Sequence, residues 1–245
     1  MEEKHWWFLA RRKIVLELAR RAVPPSLDKT VVDFGCGTGG NLAAFAEDYR
    51  CVGLDPAAEA VSEARRRFPW AQFIHGVSPE QTEAACSGAD LLLLMDVLEH
   101  VRDDRDLLLQ LVSPLKTGAH ILITVPAEMS LWSPHDVSFG HFRRYDQPGL
   151  EKLWKGLPLR PLLVSYYNAH LYPLVRCART LARLRGKAAG EAGTDFKLPP
   201  PPINRMLEKI FGSEAGRLLD RLEGRRTSGY RRGVSLIAVL RKERG

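Results

Sequence analysis

The sequence is poor in cysteine and has no paired cysteine motif. Its four cysteines, Cys36, Cys51, Cys86 and Cys177, are widely spaced, and none belongs to a Cys-x-x-Cys pair. That spacing argues against a zinc ribbon, a redox motif and a disulfide framework. We therefore expect reduced thiols in a cytoplasmic protein, and we predict no metal-binding site from the sequence.

Long hydrophobic runs and targeting signals are also missing. The run 91–98 is too short to cross a bilayer and is interrupted by Asp96. The segment 1–5 has no basic stretch followed by an apolar one, so we expect no secretory signal. The stacking aromatics typical of RNA-recognition modules are absent as well. We expect no nucleic-acid partner.

The net charge of +7 is unevenly distributed along the chain. Residues 1–150 carry 16 Lys and Arg against 21 Asp and Glu, whereas residues 151–245 carry 20 against 8. Such a basic segment is suited to an anionic substrate or to peripheral contact with a membrane surface. The alternative is that these are solvated arginines on helix faces.

Strand-length apolar runs alternate with helix-length amphipathic segments between residues 30 and 125. This alternation predicts a parallel sheet with helices on both faces. We expect strands near 30–34, 50–54, 71–75, 90–95, 119–125, 159–168 and 234–240. We expect helices near 39–48, 57–67, 79–86, 104–115 and 147–155.

A long insertion separates the last two predicted strands. It is far longer than a hairpin requires, and helical spacing predicts two helices, near 170–185 and 203–222. The first carries Arg176, Arg179 and Arg183 on one side. The linker 186–202 ends in four prolines, which predicts an extended segment.

A glycine-rich loop follows the first predicted strand. Gly35-x-Gly37-x-x-Gly40 satisfies the dinucleotide-binding fingerprint, and Asp55 lies 20 residues after Gly35, where a ribose-binding acid is expected. The glycines alone do not distinguish a nicotinamide dinucleotide from another adenosine cofactor.

The carboxylate before this loop favours a cationic cofactor. Asp33 would repel a pyrophosphate by an energy on the order of kcal/mol even at an effective dielectric constant of about 20. S-adenosylmethionine carries an ammonium and a sulfonium and no phosphate. Asp96 and Glu99, just after the fourth strand, add negative charge at the edge where such sheets bind ligands.

The ordered motifs resemble those of class I S-adenosylmethionine-dependent methyltransferases. The segment 33–39 is similar to their first motif, 53–56 to their second, and 90–101 to their signature after strand four. The segments 5–12 and 140–145 resemble elements of one bacterial subgroup. The resemblance implies an α/β fold, a seven-stranded, doubly wound, Rossmann-like sheet with a helical lid inserted before the last strand.

The same resemblance implies roles for individual cofactor-binding residues. Asp33 would hold the methionine ammonium, Gly35 and Gly37 would admit the cofactor, and Asp55 would accept the ribose hydroxyls. Pro56 would border the adenine, with Gly76 and Val77 replacing the Gly-Asp that is common in the family. Met95 and Asp96 would lie beside the methyl group. Asp33 and Asp55 could instead cap the helices that follow them.

The loop 126–145 carries the candidate residues for the acceptor side. His135 and His141 are the candidate general bases, either one oriented by Asp136. His100 and Tyr145 are candidate substrate contacts. The alternative is that these side chains hold the loop to its neighbours.

An aromatic amino-terminal helix forms the other predicted wall of the site. By the resemblance, Trp6 and Trp7 would contact substrate and face the sulfonium, and Arg11 or Arg12 would bind the methionine carboxylate. Packing of the tryptophans against the sheet edge is the alternative.

The sequence thus predicts three segments and one activity. Residues 1–25 form an aromatic helix or lid, 26–168 with 230–245 form the S-adenosylmethionine-binding core, and 169–229 form a basic acceptor lid. We expect methyl transfer to a small-molecule or lipid-like acceptor that is anionic or partly apolar. The alternatives are an NAD(P)-dependent oxidoreductase and a binding protein without turnover.

Overall fold

The computed structural model describes residues 2–184 and 198–244, and the side chains of 182–184 are not considered. Its strands form one seven-stranded sheet in the order β3-β2-β1-β4-β5-β7-β6. The strands are β1 (Thr30–Phe34), β2 (Arg50–Asp55), β3 (Gln72–His75), β4 (Leu91–Met95), β5 (His120–Pro126), β6 (Leu159–Tyr167) and β7 (Ser235–Lys242).

Helices precede, connect and follow these strands. They are α1 (Trp6–Ala22), α2 (Ala58–Arg67), α3 (Pro79–Ser87), α4 (Asp104–Val112), α5 (Pro134–Ser138), α6 (Gln147–Lys152), α7 (Tyr172–Leu184), α8 (Pro201–Gly212) and α9 (Ala215–Leu222). Within the ranges 2–184 and 198–244, none of these helices has the length and apolarity needed to cross a membrane.

The sheet is mixed, although the parallel arrangement predicted for residues 30–125 is confirmed. Strands β1 to β5 pair in parallel, but β7 lies antiparallel between β5 and β6. Hydrophobic patterning reports burial, not strand direction, so it did not reveal the reversed strand. Strand order changes direction between β1 and β4, and this opens a crevice at their carboxyl ends.

Each face of the sheet has its own hydrophobic core. Along β4, Leu93 packs on the side covered by α1, α2, α8 and α9, whereas Leu92 and Leu94 pack on the side covered by α3, α4 and α6. All three leucines are fully buried. Burial on both faces fixes the sheet rigidly, and its carboxyl edge can therefore hold functional side chains in place.

Two helical predictions need correction. Residues 39–48 contain only a short 3-10 turn, Leu42–Ala44, because three of the preceding glycines adopt positive φ and delay regular helix. The insertion contains three helices where two were expected, since the second breaks at Ser213 into α8 and α9. Pro201 and Pro202 begin α8, where proline is tolerated. The predicted linker lies largely outside the described residues.

The amino-terminal helix is attached to the insertion. The backbone N–H of Trp6 donates to Oδ1 of Asn204 (2.9 Å), and Nδ2 of Asn204 donates to the carbonyl of Lys4 (2.8 Å). The Trp6 ring meets Phe211 edge-on, with 6.1 Å between ring centroids. The two segments predicted as lids therefore form one packed unit beside the carboxyl edge of the sheet.

Candidate active site

The glycine loop follows β1 with a conformation that side chains would obstruct. Gly35 and Gly37 have φ values of 76° and 53°. A Cβ on Gly35 would lie 2.7 Å from Cγ2 of Val97, a distance that non-bonded carbons do not tolerate. The loop therefore needs glycine at these positions, and its backbone stays open to a ligand.

Asp55 braces this loop from the end of β2. Its Oδ2 accepts from the N–H of Gly37 (2.8 Å), and its Oδ1 accepts from the N–H of Ala57 (2.8 Å) just before α2. Asp55 does not cap α2, because the N-cap of that helix is Ala57 and no side chain caps it. Each carboxylate oxygen can accept a second hydrogen bond, so the predicted ribose contact stays a prediction.

Asp33 is a fully buried acid next to the loop. Its side chain is 0% exposed, and neither carboxylate oxygen has an ordinary hydrogen-bond partner among the described residues. Burial raises the pKa of Asp33 to about 7, against the opposing effects of Arg11 and Asn41. An acid in this state is ready to receive a hydrogen-bonding cation.

Arg11 reaches the same region from α1. Its Nη2 lies 2.6 Å from Oδ2 of Asp96 and 3.2 Å from Oγ1 of Thr124, while Nη1 lies 3.3 Å from Oδ1 of Asn41. The guanidinium also lies over the ring of Trp7. Although burial opposes the charge, the Asp96 carboxylate leaves the pKa of Arg11 raised. The predicted contact of Arg11 with a methionine carboxylate stays a prediction.

Asp96 has an unusual backbone conformation. It follows β4 with φ 58°, a region that few residues other than glycine adopt. Its N–H donates to the carbonyl of Thr124, and the Thr124 hydroxyl donates to its Oδ1. Strained residues of this kind concentrate at functional sites.

A cavity of about 710 Å³ opens above these residues. It is lined by most of the residues predicted for the site: Trp6, Trp7, Arg11, Gly35, Gly37, Met95, Asp96, His100, His135 and His141. The structure thus brings the amino-terminal helix, the glycine loop, the end of β4 and the loop after β5 to one space.

Other predicted residues lie outside the lining of this cavity. Pro56, Gly76 and Val77 follow β2 and β3, and the N–H of Gly76 donates to the carbonyl of Asp55. Tyr145 is buried, and its hydroxyl donates to Oδ2 of Asp104 (2.6 Å). Tyr145 does not line the cavity, and its hydroxyl is bound to Asp104, so the predicted substrate contact stays a prediction.

Asp136 organises the loop after β5. It is 0% exposed and accepts from Nε of Arg144 (2.7 Å), from the N–H of Ser133 (2.8 Å) and from Nδ1 of His141 (3.1 Å). Burial alone would raise its pKa, but these partners hold the pKa of Asp136 well below its usual range. Asp136 is thus an anion whose hydrogen bond to Nδ1 orients the His141 ring.

His141 lies against two groups from the turn after β4. Its ring meets that of His100 edge-on, with 4.6 Å between centroids. Glu99 is 0% exposed, and neither carboxylate oxygen has a hydrogen-bond partner among the described residues. Burial and then the nearby Asp96 raise the pKa of Glu99 well above its usual range. Burial and His141 lower the pKa of His100.

The arginines of the insertion separate into different environments. Arg179 lines the cavity, donates to the carbonyl of Leu131 and lies 3.8 Å from Asp136. Arg176 is exposed, contacts the hydroxyl of Tyr172 and does not line the cavity. The predicted arginine face therefore contributes Arg179 to the pocket, while the side chain of Arg183 lies outside the described residues.

Sequence reasoning missed several residues at the cavity. Asn41 and Thr124 contact Arg11, and Glu2 accepts from the hydroxyl of Thr38 (3.3 Å) in the glycine loop. Asn204, in the distant insertion, caps α1. None of these residues belongs to a recognisable motif, and their positions depend on long-range packing.

The fold and the site together define a class of protein. A mixed seven-stranded sheet with reversed β7, a glycine loop after β1 and acids at the ends of β1 and β4 is the Rossmann-like architecture of class I methyltransferases. A family model described as "Methyltransferase domain" matches residues 6–170. The chain belongs to that family, which confirms the superfamily predicted from the motifs.

Curated relatives are similar over part of their length. The trans-aconitate 2-methyltransferase of Rhodopseudomonas palustris (strain BisB5) is 27% identical over 168 residues, which cover 64% of this chain. The match spans 60% of that relative. The rest of the relative's length has no counterpart in the match.

Solved structures share the fold at low identity. A putative methyltransferase in complex with the Haloferax volcanii Trm112 activator gives a TM-score of 0.59 at 19% identity, covering 100% of this chain and 92% of that chain. The plantazolicin methyltransferase BamL, in complex with a substrate analogue and SAH, gives 0.56 at 13% identity, covering 96% and 85%. These similarities confirm the predicted Rossmann-like fold.

Proposed function

We propose that this protein transfers a methyl group from S-adenosylmethionine to a small anionic acceptor. The observation that carries the proposal is Asp33, a fully buried acid beside a glycine loop, whose oxygens have no ordinary hydrogen-bond partner in the described part of the chain. A bound ammonium would satisfy both of its oxygens and restore its negative charge. Family membership and the fold support the same cofactor.

The surrounding residues fit this cofactor better than a dinucleotide. Asp33, Asp96 and Glu99 would all be close to a pyrophosphate, and repulsion at such distances is on the order of kcal/mol. A sulfonium and an ammonium would be attracted instead. Arg11 would supply a positive charge for the methionine carboxylate. Met95 would border the methyl group, and Asp55 would face the ribose.

The acceptor side of the cavity combines positive charge with apolar surface. Arg144 and Arg179 line it together with Phe139, Val175 and Ala178. Arginine pairs well with carboxylates because its fork of donors matches their geometry. A similar protein is named for methylation of trans-aconitate. We therefore assign a small, partly apolar carboxylic acid as the acceptor class.

Methyl transfer from a sulfonium requires alignment more than acid–base chemistry. The acceptor atom must approach in line with the breaking S–C bond, in a site that excludes water. Trp6 and Trp7 would shield the cofactor side. For an acceptor that arrives protonated, His141 is the better-supported base, since Asp136 binds Nδ1 and leaves Nε2 for the proton.

Calorimetry with S-adenosylhomocysteine and with NAD tests the cofactor. We expect S-adenosylhomocysteine to bind to wild-type protein, and we expect no heat of binding when NAD is added. Asp33→Asn keeps the shape of the side chain and removes its charge, so it should weaken product binding at least tenfold at pH 7.5. Binding of NAD without binding of the product would establish the oxidoreductase alternative.

Transfer of a labelled methyl group tests the acceptor. Wild-type protein should label trans-aconitate or another small di- or tricarboxylate, whereas a binding protein without turnover would label none. Arg179→Gln should raise the KM for the acceptor about tenfold or more with little change in kcat, since a charged hydrogen bond contributes about 1.5–3 kcal/mol. Arg176→Gln on the same helix is the matched control and should leave the KM unchanged.

The base is tested by the pH dependence of turnover. His141→Ala should lower kcat by about 100-fold or more between pH 6 and 9 with a hydroxyl acceptor, and His135→Ala should change it less. With a carboxylate acceptor, neither variant should show this 100-fold fall in kcat, because no proton has to be removed from the acceptor. Wild-type rates in both variants with a hydroxyl acceptor would exclude a histidine base.

A lipid-like acceptor is the second candidate, favoured by exposed apolar residues on α7. Leu174 is 64% exposed and Leu181 is 43% exposed beside the basic face of this helix. Such a surface suits the headgroup region of an anionic membrane. Co-sedimentation with anionic vesicles should fall in an Arg176→Ala, Arg179→Ala, Arg183→Ala variant. Equal vesicle binding by wild type and this variant would exclude membrane contact through these arginines.

A further inference from the structure

Three metal-ligating side chains converge on the acceptor side of the cavity. Glu99 and His100 lie in the turn after β4, and His141 lies 41 positions further along in the loop after β5. One carboxylate oxygen and one ring nitrogen from each histidine all lie within 4.8 Å of one another. The three residues also line the cavity, so a group held between them would be open to the acceptor.

His141 is oriented by a hydrogen bond from behind the cluster. Nδ1 of His141 is bound by the Asp136 carboxylate (3.1 Å), and the His141 ring meets the His100 ring edge-on. The other nitrogen of His141 carries a lone pair when the imidazole is neutral. Metal-ligating histidines show this arrangement, in which a carboxylate or carbonyl fixes the tautomer and the ring direction.

Glu99 supplies a carboxylate with no partner of its own. It is 0% exposed, and both oxygens lack a hydrogen-bond partner among residues 2–184 and 198–244. The nearby guanidinium of Arg144 is engaged by Asp136 through both Nε and Nη2, and Arg11 is engaged by Asp96. A bound cation would supply the partner that this buried carboxylate lacks among the described residues.

We propose that Glu99, His100 and His141 form a binding site for one divalent transition-metal ion. Two imidazoles and one carboxylate suit Mn²⁺, Fe²⁺, Co²⁺ or Zn²⁺, whereas Mg²⁺ and Ca²⁺ prefer oxygen ligands. Metal–ligand bonds of about 2.0–2.2 Å limit ligand atoms to separations of about 4.2 Å. Ligand atoms that lie within 4.8 Å of one another are close to this limit, and rotation of the exposed His100 ring can bring them within it.

The ion would lie where it can bind the acceptor, a role that rests on the proposed methyl transfer. Three protein ligands leave coordination sites directed at the cavity, as in catalytic metal centres. A carboxylate or hydroxyl oxygen of the acceptor would occupy one of them and be held beside the methyl group. His141 is then a ligand, and the ion replaces the free imidazole by lowering the pKa of a coordinated hydroxyl.

Metal binding is measurable without any activity. Protein freed of metal with a chelator is dialysed against Mn²⁺, Co²⁺, Zn²⁺ or Mg²⁺, and the bound ion is counted by mass spectrometry. We expect one Co²⁺ per chain, with a visible absorption band from nitrogen ligands, and no retained Mg²⁺. Glu99→Gln and His141→Gln should each lose at least 90% of the bound ion. Asp136→Asn, behind His141, should weaken binding by about 10- to 100-fold.

Control variants distinguish loss of the metal site from misfolding and from failure of the proposed methyl transfer. His170→Gln removes an exposed histidine outside the cavity and should retain one Co²⁺ per chain. Binding of S-adenosylhomocysteine by Glu99→Gln shows that the variant is folded. Equal Co²⁺ binding by wild type, Glu99→Gln and His141→Gln overturns the site even when methyl transfer is found. One Co²⁺ lost on substitution supports it even when no acceptor is methylated.

Discussion

Arg11 in the amino-terminal helix and Asp96 at the end of β4 form a partly buried ion pair, with Nη2 and Oδ2 separated by 2.6 Å. The pair joins an element outside the sheet to the centre of its carboxyl edge. Arg11 is 5% exposed, and Asp96 has a left-handed backbone conformation. The contact therefore positions the wall formed by α1 and holds an otherwise strained turn.

Replacement of Arg11 by lysine should damage this connection although the charge is retained. Lysine cannot reproduce the planar donors that contact Asp96, Asn41 and Thr124 together. We expect the free energy of unfolding to fall by about 1–3 kcal/mol and the affinity for S-adenosylhomocysteine to fall about tenfold. Urea unfolding and calorimetry measure the two effects.

Arg12→Lys is the matched control for this experiment. Arg12 contacts the carbonyl of Glu2 through Nη2 (2.6 Å) and is less buried. Its substitution should cost less than about 1 kcal/mol. Equal losses in the two variants would show that the Arg11–Asp96 pair has no special part in joining α1 to the sheet.

Asp33 should make both stability and cofactor binding depend on pH. Its pKa of about 7 in the folded chain lies above the value of about 4 expected for an unfolded chain. The folded chain then binds more protons between these values, so stability falls as pH rises from about 4 to 7. The contribution of Asp33 is at most about 4 kcal/mol, at about 1.4 kcal/mol per pKa unit.

The same ionisation should strengthen binding of a cationic cofactor. Between pH 6 and 7.5 the ionised fraction of Asp33 rises by about eightfold, and the affinity for S-adenosylhomocysteine should rise by a similar factor. Asp33→Asn should remove this rise and reduce the decline in stability. Glu99 also has a raised pKa, and its contribution is common to both proteins. Identical pH profiles for wild type and Asp33→Asn would contradict the assignment.

Asn204 should control the order of the amino-terminal segment. Its side chain accepts from the N–H of Trp6 and donates to the carbonyl of Lys4. Asn204→Ala removes both contacts and leaves the first turn of α1 without that acceptor. We expect faster hydrogen exchange of the amides in residues 2–10 and a loss of about 1–2 kcal/mol in stability. Arg205→Ala, an exposed neighbour on α8, should leave the exchange unchanged.

Much of the fold could be predicted from local patterns. All seven strands lie within about two residues of their predicted ranges, because runs such as 91–95 are buried on both faces and are therefore apolar throughout. The helix caps formed by Ser78 with Gln81 and by Asp146 are likewise local features, since each depends on neighbouring residues alone. The reversal of β7 was not predicted, because burial on two faces is independent of strand direction.

The sequence by itself determined the glycine loop, the acid before it and the family of the protein, because these features are encoded within a few consecutive residues. Only the tertiary structure decided that Arg11 pairs with Asp96, that Tyr145 binds Asp104 outside the cavity, and that Glu99 and His100 meet His141. Those contacts join residues 41 to 85 positions apart, and short sequence motifs do not encode contacts over such separations. Their geometry depends on which strands are neighbours and on how loops pack above the sheet's edge.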